Sequence, residues 1–325
     1  MRQSAHFIQL FCPFFCSLFL LSSQPVLAGK YAPIDVDMQL QRVSEHVYYV
    51  QGKAGIATDN QGFISNATAV ITDQGIVVID ALGTPALAHH FLQLLSKISS
   101  QPVVKVITTH YHADHIYGLQ VFKSQGAEII APAGYREYLD SENARNRLEE
   151  RRFSLDPWVN ENTHLLPADT VIDKNTRFSL GNIHFDINYL GSAHSDGDLS
   201  IRISPDQVLI TGDLIFEGRI PFTGNADTGH WLALLKSLEH TRLKALIPGH
   251  GPAAKNPDRA IELTRRYLQR LRSVMKAAVE ELTPFDEAFN AADWSEFEKL
   301  PAYAAAHRKN AYGVYLSMEQ ELLDQ

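Results

Sequence analysis

Short apolar runs alternate with amphipathic stretches along most of the chain, and their periods predict the secondary structure. Apolar runs of four to eight residues between turn signals are typical of buried strands, and apolar residues recurring every three or four positions are typical of helices. The first pattern predicts strands at 47–50, 68–72, 76–79, 103–107, 128–131, 177–180, 183–190, 199–203, 207–210 and 245–247. The second predicts helices at 84–98, around 119–122, at 135–152 as one piece, at 231–238 and from 257 onward, with a break at 283–284.

Strands and helices alternate in both halves of the chain. This order is typical of the α/β class, and we expect two sheets with helices on their outer faces. The chain has 325 residues, 45% of them hydrophobic, which is enough for one large domain or two small ones. We predict a domain over residues 29–260, followed by a helical C-terminal extension, residues 261–325, that packs on the same domain.

The first 28 residues have the pattern of a cleavable export signal. Arg2 gives a basic start, residues 7–21 are apolar, and Val26-Leu27-Ala28 resembles a signal peptidase site. An uncleaved anchor is the alternative, but the apolar run is shorter than the roughly 20 residues of a membrane span. Both cysteines, Cys12 and Cys16, fall in this segment, so the mature chain would have no disulfide and no thiolate ligand. We expect a periplasmic or secreted protein without a membrane anchor after cleavage.

The charge balance narrows the range of partners. The sequence has 29 basic and 37 acidic residues, a net charge of −8, and removing residues 1–28 takes away Arg2 and leaves −9. An acidic chain is a poor partner for nucleic acid or an anionic membrane. A small-molecule substrate is therefore expected, and the sequence leaves the oligomeric state open.

Residues 110–115, His-Tyr-His-Ala-Asp-His, carry the main chemical signal. They follow a predicted buried strand and place three imidazoles and one carboxylate within six residues. Neutral imidazole and carboxylate are typical zinc ligands. If the chain leaves the strand extended, His110 and His112 fall on the same side, because side chains alternate with period two. Asp114 and His115 follow the bend, so this one loop could serve two adjacent metal ions.

Three later residues occupy similar positions in the chain. Each follows a predicted strand and has glycine nearby: His194, Asp213 and His250. Functional residues concentrate on strand-end loops, and glycine lets the backbone turn tightly near an ion. Either histidine alone could be a core residue, but together with residues 110–115 the set predicts a metal centre.

The order of these residues, HxHxDH followed by His, Gly-Asp and Gly-His-Gly, resembles the metallo-β-lactamase-fold hydrolase superfamily over about residues 43–260. The resemblance implies a four-layer αββα sandwich with a two-metal site at one edge. It also implies one zinc ion held by His110, His112 and His194, a second held by Asp114, His115 and His250, and Asp213 as the bridge between them.

The residue types agree with hydrolytic chemistry. Zinc held by imidazoles and carboxylates keeps positions open for water and lowers the pKa of that water to about 7. Asp114 is also expected to take part in proton transfer. We therefore expect an exported hydrolase with two Zn²⁺ per chain that uses metal-bound hydroxide on an ester, thioester or amide-like bond.

Three alternatives stay open. The first is a β-lactamase, although family members with the HxHxD pattern usually have Cys, or no bridging residue, where this chain has Asp213, and the Lys that follows that Cys is absent here. The second is a glyoxalase II-like thioesterase, which keeps all seven ligands, but a basic glutathione-binding tail is not evident in residues 259–276. The third is a non-catalytic zinc-binding accessory protein. Residues 212–222 are also similar to exported hydrolases that accompany quinoprotein or sulfur-oxidation systems, which indicates a location rather than a substrate.

Four further residues complete the predicted site. Arg219 could bind a substrate carboxylate, since a guanidinium grips carboxylates with two parallel hydrogen bonds, or it could be an ordinary surface arginine. Asp80, at a strand end, is the first candidate for orienting a metal-bound imidazole. Asp196 and Asp198 are the alternatives for that role, and each of the three could instead be a solvated turn residue.

Overall fold

The computed structural model describes residues 30–238 and 242–324, and the predicted export signal lies outside these ranges. Within them the strands are β1 Leu40–Arg42, β2 Val47–Val50, β3 Ala67–Thr72, β4 Gly75–Ile79, β5 Val103–Ile107, β6 Glu128–Pro132, β7 Thr170–Ile172, β8 Thr176–Leu180, β9 Ile183–Gly191, β10 Asp198–Ser204, β11 Val208–Ile210 and β12 Ala245–Ile247. The α-helices are α1 Pro85–Ser96, α2 Ala113–Ile116, α3 Leu119–Lys123, α4 Tyr135–Asp140, α5 Glu142–Ser154, α6 Thr228–Leu238, α7 Pro257–Glu280, α8 Phe285–Ala291 and α9 Tyr303–Leu323.

The described strands form two sheets. The first has seven strands in the order β1 to β7, antiparallel from β1 to β4 and parallel from β4 to β7. The second has five strands in the order β12-β11-β10-β9-β8, and its β11–β12 pair is parallel. Parallel strands end at the same edge of a sheet. The loops that follow β4 and β5 therefore lie together, and so do the loops that follow β11 and β12.

Three apolar clusters separate the layers. The first lies between the sheets, where Val70 and Ile107 of the first sheet meet Ile201 of the second. The second joins the first sheet to α1 and α3 and includes Phe91, and the third joins the second sheet to α6, α7 and α9 and includes Trp231. These layers are those of an αββα sandwich, so the predicted fold is confirmed.

One helix prediction was wrong. Residues 135–152 form α4 and α5 rather than one helix, and the chain is extended at Ser141 between them (φ −77°, ψ 157°). The Ser141 hydroxyl accepts a hydrogen bond from the Ala144 amide at 3.1 Å, which caps the start of α5. A serine cap can begin a new helix without Gly or Pro, so the sequence held no strong breaker to mark the boundary.

The C-terminal helices cover the outer face of the second sheet. Tyr267 and Leu271 of α7 and Val314 of α9 lie in the same apolar cluster as Leu246 of β12. Because β12 leads directly to His250, these helices pack behind one of the predicted ligand loops. Among the described residues, no helix is both long and apolar enough to cross a membrane.

Candidate metal centre

Strand-end loops bring the seven predicted ligands together at one edge of the sandwich. The loop after β5 and the short helix α2 that follows it supply four of them, and the segments after β9, β11 and β12 supply one each. Their donor atoms form two groups, each with all atoms within 4.8 Å of one another: His110, His112, His194 and Asp213 in the first, and Asp114, His115 and His250 in the second.

The donor atoms of the first group converge on one point. His112 Nδ1 lies 3.0 Å from His110 Nε2 and 2.9 Å from His194 Nε2. Asp213 Oδ2 lies 3.3 Å from His194 Nε2 and 3.9 Å from His110 Nε2. Ligands around a tetrahedral zinc ion, with bonds of about 2.0–2.1 Å, stand about 3.3 Å apart. The spacing therefore fits a single small cation.

The second group shares Asp213 with the first. Asp114 Oδ2 lies 3.3 Å from His250 Nε2 and 3.6 Å from His115 Nε2. Asp213 Oδ2 lies 3.2 Å from His250 Nε2, and Asp213 Oδ1 lies 3.2 Å from His115 Nε2. One carboxylate thus faces both groups, which is the arrangement that a bridge between two adjacent cations requires.

Two buried polar atoms test whether cations fit this site. Within the described residues, His115 Nε2 and Asp213 Oδ1 are buried and make no hydrogen bond. Such an atom costs about 1–3 kcal/mol unless it finds a partner. A cation between the two groups would satisfy both atoms, so the residues fit a metal pair.

The protonation states suit metal binding at most positions. Burial lowers the pKa of His194 to about 3 and holds the pKa of His110 well below its usual range, so both rings are neutral at pH 7. Burial alone would raise the pKa of Asp213, but the imidazoles of His250, His115 and His194 keep it well below the usual value. Neutral imidazole and ionised carboxylate are the forms that bind metal.

His115 differs from these histidines. Burial lowers its pKa, but the carboxylates of Asp80, Asp213 and Asp114 outweigh this and raise it well above the ordinary value. The negative charge around His115 attracts a proton and would attract a cation for the same reason. Metal binding at this position therefore releases a proton.

Close backbone approach explains one glycine of the Gly-His-Gly sequence. The Gly249 amide donates a 2.6 Å hydrogen bond to the Gly212 carbonyl, which joins the His250 loop to the Asp213 loop. A Cβ atom at Gly249 would fall on Asp213 Oδ1 and on the backbone of Gly212. Only glycine lets the two loops approach this closely.

Asp80 lies behind His115 and contacts its ring directly. Asp80 Oδ2 accepts a 2.9 Å hydrogen bond from His115 Nδ1, and Oδ1 accepts a 2.7 Å bond from the Thr109 amide. The first bond leaves Nε2 of His115 as the ring nitrogen that faces Asp213. The structure places Asp196 and Asp198 differently. Asp198 accepts from the Ser195 amide at 2.9 Å and shapes the loop that carries His194, while Asp196 accepts from the Tyr111 hydroxyl at 2.8 Å.

Sequence reasoning missed Asn66, which is 3% exposed and holds the His250 loop. Its Nδ2 donates to the carbonyls of Pro248 at 2.7 Å and Gly251 at 2.9 Å, and its backbone amide donates to Gly249. The carbonyl of Ile64, two residues before Asn66, accepts a 2.7 Å bond from His250 Nδ1. The signal that could have found Asn66 is a polar amide at the start of an otherwise apolar strand.

Arg219 lies near the second group, beneath the surface rather than on it. The residue is 9% exposed, and within the described chain its Nε is buried without a hydrogen bond. Its guanidinium lies 5.9 Å from the centre of the Phe216 ring, which in turn stacks on His250 at 5.2 Å. Burial lowers the pKa of Arg219, and the charges of Asp213 and Asp114 offset only part of this decrease. The alternative that Arg219 is an ordinary surface arginine does not fit this burial.

Comparison with known proteins shows where the chain has relatives. It is 24% identical over 193 residues to a metallo-beta-lactamase type 2 of Elizabethkingia meningoseptica, covering 58% of this chain and 69% of the relative. The protein of the same name from Bacillus cereus is also 24% identical over 193 residues, covering 58% and 67%.

Solved structures show the same fold. The sec-alkylsulfatase Pisa1 from Pseudomonas superposes with a TM-score of 0.69 at 20% identity over 86% of this chain and 50% of that protein. A metallo-beta-lactamase from Pontibacter korlensis superposes with a TM-score of 0.56 at 19% identity over 72% of this chain and 99% of its own. This chain thus spans half the length of the alkylsulfatase.

The family model of the metallo-beta-lactamase superfamily matches residues 60–250, more than half of the chain. This range begins before Asn66 and ends at His250, so it contains all seven clustered side chains. The chain belongs to the metallo-beta-lactamase superfamily and is a metal-dependent hydrolase.

Proposed function

We propose that the protein is an exported hydrolase that holds two zinc ions and cleaves an ester, thioester or amide-like bond of a small molecule. The observation that carries this proposal is the pair of donor groups bridged by Asp213. A set made mainly of imidazole nitrogens favours zinc over magnesium or calcium, which prefer oxygen ligands. When bound, the ions would supply a Lewis acid and a water of lowered pKa. Export rests on the pattern of residues 1–28.

Asp114 lies on the open side of the site. Its side chain is 22% exposed, whereas that of Asp213 is 5% exposed. Burial raises its pKa, but the neighbouring His115 and His250 outweigh this and lower it, so the group is ionised at neutral pH. We assign the Asp114 carboxylate the role of accepting a proton from the reacting water and passing it to the leaving group.

Arg219 supports a substrate with a negatively charged group. A buried guanidinium whose Nε lacks a hydrogen bond is costly, and an anion beside it would supply that bond. The guanidinium lies next to Phe216, and Phe216 contacts His250, so such an anion would lie beside the second donor group. We propose that Arg219 binds a carboxylate or a similar anionic group close to the scissile bond.

The alternatives differ in the substrate that they predict. The relatives named as metallo-beta-lactamases support cleavage of β-lactams, which carry a carboxylate. Asp213, where such enzymes usually have Cys, favours a weak activity over an efficient one. A glyoxalase II-like enzyme would cleave a thioester of glutathione, and an alkyl sulfate ester is suggested by the sulfatase that shares the fold. A non-catalytic accessory protein would bind zinc and turn over none of these.

The test is hydrolysis by purified, zinc-loaded protein across a panel of substrates. The panel contains a chromogenic cephalosporin, S-lactoylglutathione, a secondary alkyl sulfate, p-nitrophenyl acetate and the p-nitrophenyl ester of succinate. The last two share a leaving group and differ in a carboxylate. Each substrate is measured with and without a chelator, and Asp114→Ala, purified in the same way, tests the role of Asp114.

We expect chelator-sensitive turnover of at least one class, loss of that turnover in Asp114→Ala, and faster cleavage of the succinate ester than of the acetate. Full activity of Asp114→Ala would overturn the assigned role of Asp114. Two bound zinc ions with no turnover of any substrate would favour the accessory protein.

A further inference from the structure

The segment between the metal centre and α6 forms one wall of the site. We call residues 214–223 the wall loop. The Phe216 ring stacks on the His250 ring, with an angle of 3° between the two planes, and the Glu217 amide donates to the His250 carbonyl at 3.1 Å. The loop also carries Arg219. The position of the wall loop therefore affects both the candidate ligand His250 and the guanidinium of Arg219.

The C-terminal helices hold the wall loop from behind. The Phe216 amide donates to Thr264 Oγ1 of α7 at 3.2 Å, and the Ile220 amide donates to the Pro301 carbonyl just before α9 at 3.3 Å. At the far end of the loop, Asn310 of α9 makes two bonds. Its Oδ1 accepts from the Thr223 amide at 3.1 Å, and its Nδ2 donates to the Pro221 carbonyl at 2.7 Å.

Asn310 is fixed by a third contact. It is 1% exposed, and its Nδ2 also donates to the Tyr267 hydroxyl oxygen at 3.0 Å. That hydroxyl lies 3.0 Å from His307 Nδ1, so α7 and α9 share one buried polar network. Buried hydrogen bonds in apolar surroundings hold their geometry firmly, because every alternative leaves a polar atom unpaired. Asn310 therefore fixes the loop at two backbone atoms on either side of Phe222.

We propose that Asn310 is a positioning residue for the metal centre: by fixing the wall loop, it sets where Arg219 and Phe216 stand against the donor groups. Its catalytic consequence rests on the proposed hydrolase function. The C-terminal helices then belong to the catalytic unit, although they supply none of the seven clustered side chains.

The experiment compares Asn310→Ala with Val314→Ala in the zinc-loaded protein. Val314 lies four residues further along α9, is 2% exposed and belongs to the apolar cluster behind the wall loop, so its truncation loosens the same helix without removing a hydrogen bond to the loop. Amide hydrogen exchange is measured at Phe216, Glu217 and Ile220, and zinc content is measured by atomic absorption. Kinetics are measured with the succinate and acetate esters.

Asn310→Ala loses the two hydrogen bonds that hold the wall loop at Pro221 and Thr223, so the loop should open more often. Because a lost buried hydrogen bond shifts an opening equilibrium about tenfold, we expect amide exchange at Glu217 to rise about tenfold or more. Two zinc ions stay bound, and kcat/KM for the succinate ester falls about tenfold through KM, with a smaller change for the acetate. Val314→Ala keeps wild-type exchange in the wall loop and wild-type KM. Equal exchange at Glu217 in the two variants would overturn the proposal, as would an unchanged KM in Asn310→Ala.

The exchange measurement needs no substrate, so it decides the positioning role even if no ester in the panel is cleaved. Should Asn310→Ala fail to fold, Asn310→Asp keeps the acceptor for the Thr223 amide and removes the donor to Pro221. A rise in exchange at Glu217 is expected there too, and wild-type exchange in that variant would contradict the proposal.

Discussion

Replacing Asp80 with Asn should weaken one of the two metal sites through the tautomer of His115. Asp80 has a left-handed φ of +62°, which Asn tolerates as readily as Asp, so the backbone is preserved. The amide oxygen of Asn can still accept from the Thr109 amide. The NH₂ group then faces His115 Nδ1, which has to become an acceptor. The ring proton moves to Nε2, the atom that faces Asp213.

The size of the loss in metal affinity follows from this change in the tautomer of His115. A nitrogen that carries a proton cannot bind a metal, so binding requires breaking the new bond between residue 80 and His115. Loss of such a supporting partner lowers metal affinity about 10–100-fold, or about 1.4–2.7 kcal/mol. Asp80 reaches the first donor group only indirectly, through the Thr109 hydroxyl that lies 3.0 Å from His110 Nδ1, so the affinity of that group should change less.

The assay is a zinc titration in competition with a chromophoric chelator, which resolves two binding steps. Wild-type protein should show two tight steps, and Asp80→Asn one tight and one weakened step. Asp206→Asn is a matched control, because Asp206 Oδ1 accepts from His46 Nδ1 at 2.8 Å in the turn between β10 and β11, at the opposite end of β11 from Asp213. Two wild-type affinities in Asp80→Asn, or an equal loss in Asp206→Asn, would refute the reasoning.

Three further outcomes are expected. Asp213→Ala removes the shared carboxylate, so atomic absorption should find at most one zinc ion per chain; two ions would contradict the bridging role. Chelation of wild-type protein should lower Tm in a thermal scan and added zinc should restore it, because a ligand that binds only the folded chain stabilises it; an unchanged Tm would argue against the centre. Burial lowers the pKa of His307 to about 4, below the value of about 6.5 in an unfolded chain. The unfolded chain takes up this proton first, so the contribution is complete above about pH 6.5 and falls by about 3 kcal/mol by pH 4. Urea unfolding of wild type and His307→Phe checks this, and parallel pH profiles would contradict it.

The fold could be predicted because its elements are local. Residues 103–107 and 245–247 are apolar runs of strand length, and α7 repeats its apolar residues every three or four positions. The metal-centre side chains could be proposed because His, Asp and Gly recur directly after such runs. In these stretches the residue types and their spacing decide the outcome without help from distant contacts.

Asn66 and Asn310 could not be assigned a role in this way, because their partners are far away in the chain. Asn66 holds a loop near residue 250, and Asn310 holds one near residue 222. Neither residue stands in a motif, and an asparagine in a strand or helix looks like a surface residue until its partner is placed. The break at Ser141 was missed for another reason: a serine is a weaker signal of a helix boundary in the sequence than Gly or Pro.

The division of donors between the two sheets has a consequence for how the protein matures. The first group takes His110 and His112 from one half of the chain and His194 and Asp213 from the other, and the second group is divided in the same way. Neither half of the chain alone supplies a complete site, so metal can bind only after the two sheets have packed together. If the chain is exported, as we propose, and crosses the membrane before it folds, it has to bind its zinc after export. The amount of bound zinc would then report how much of the protein has folded, rather than how much has been synthesised.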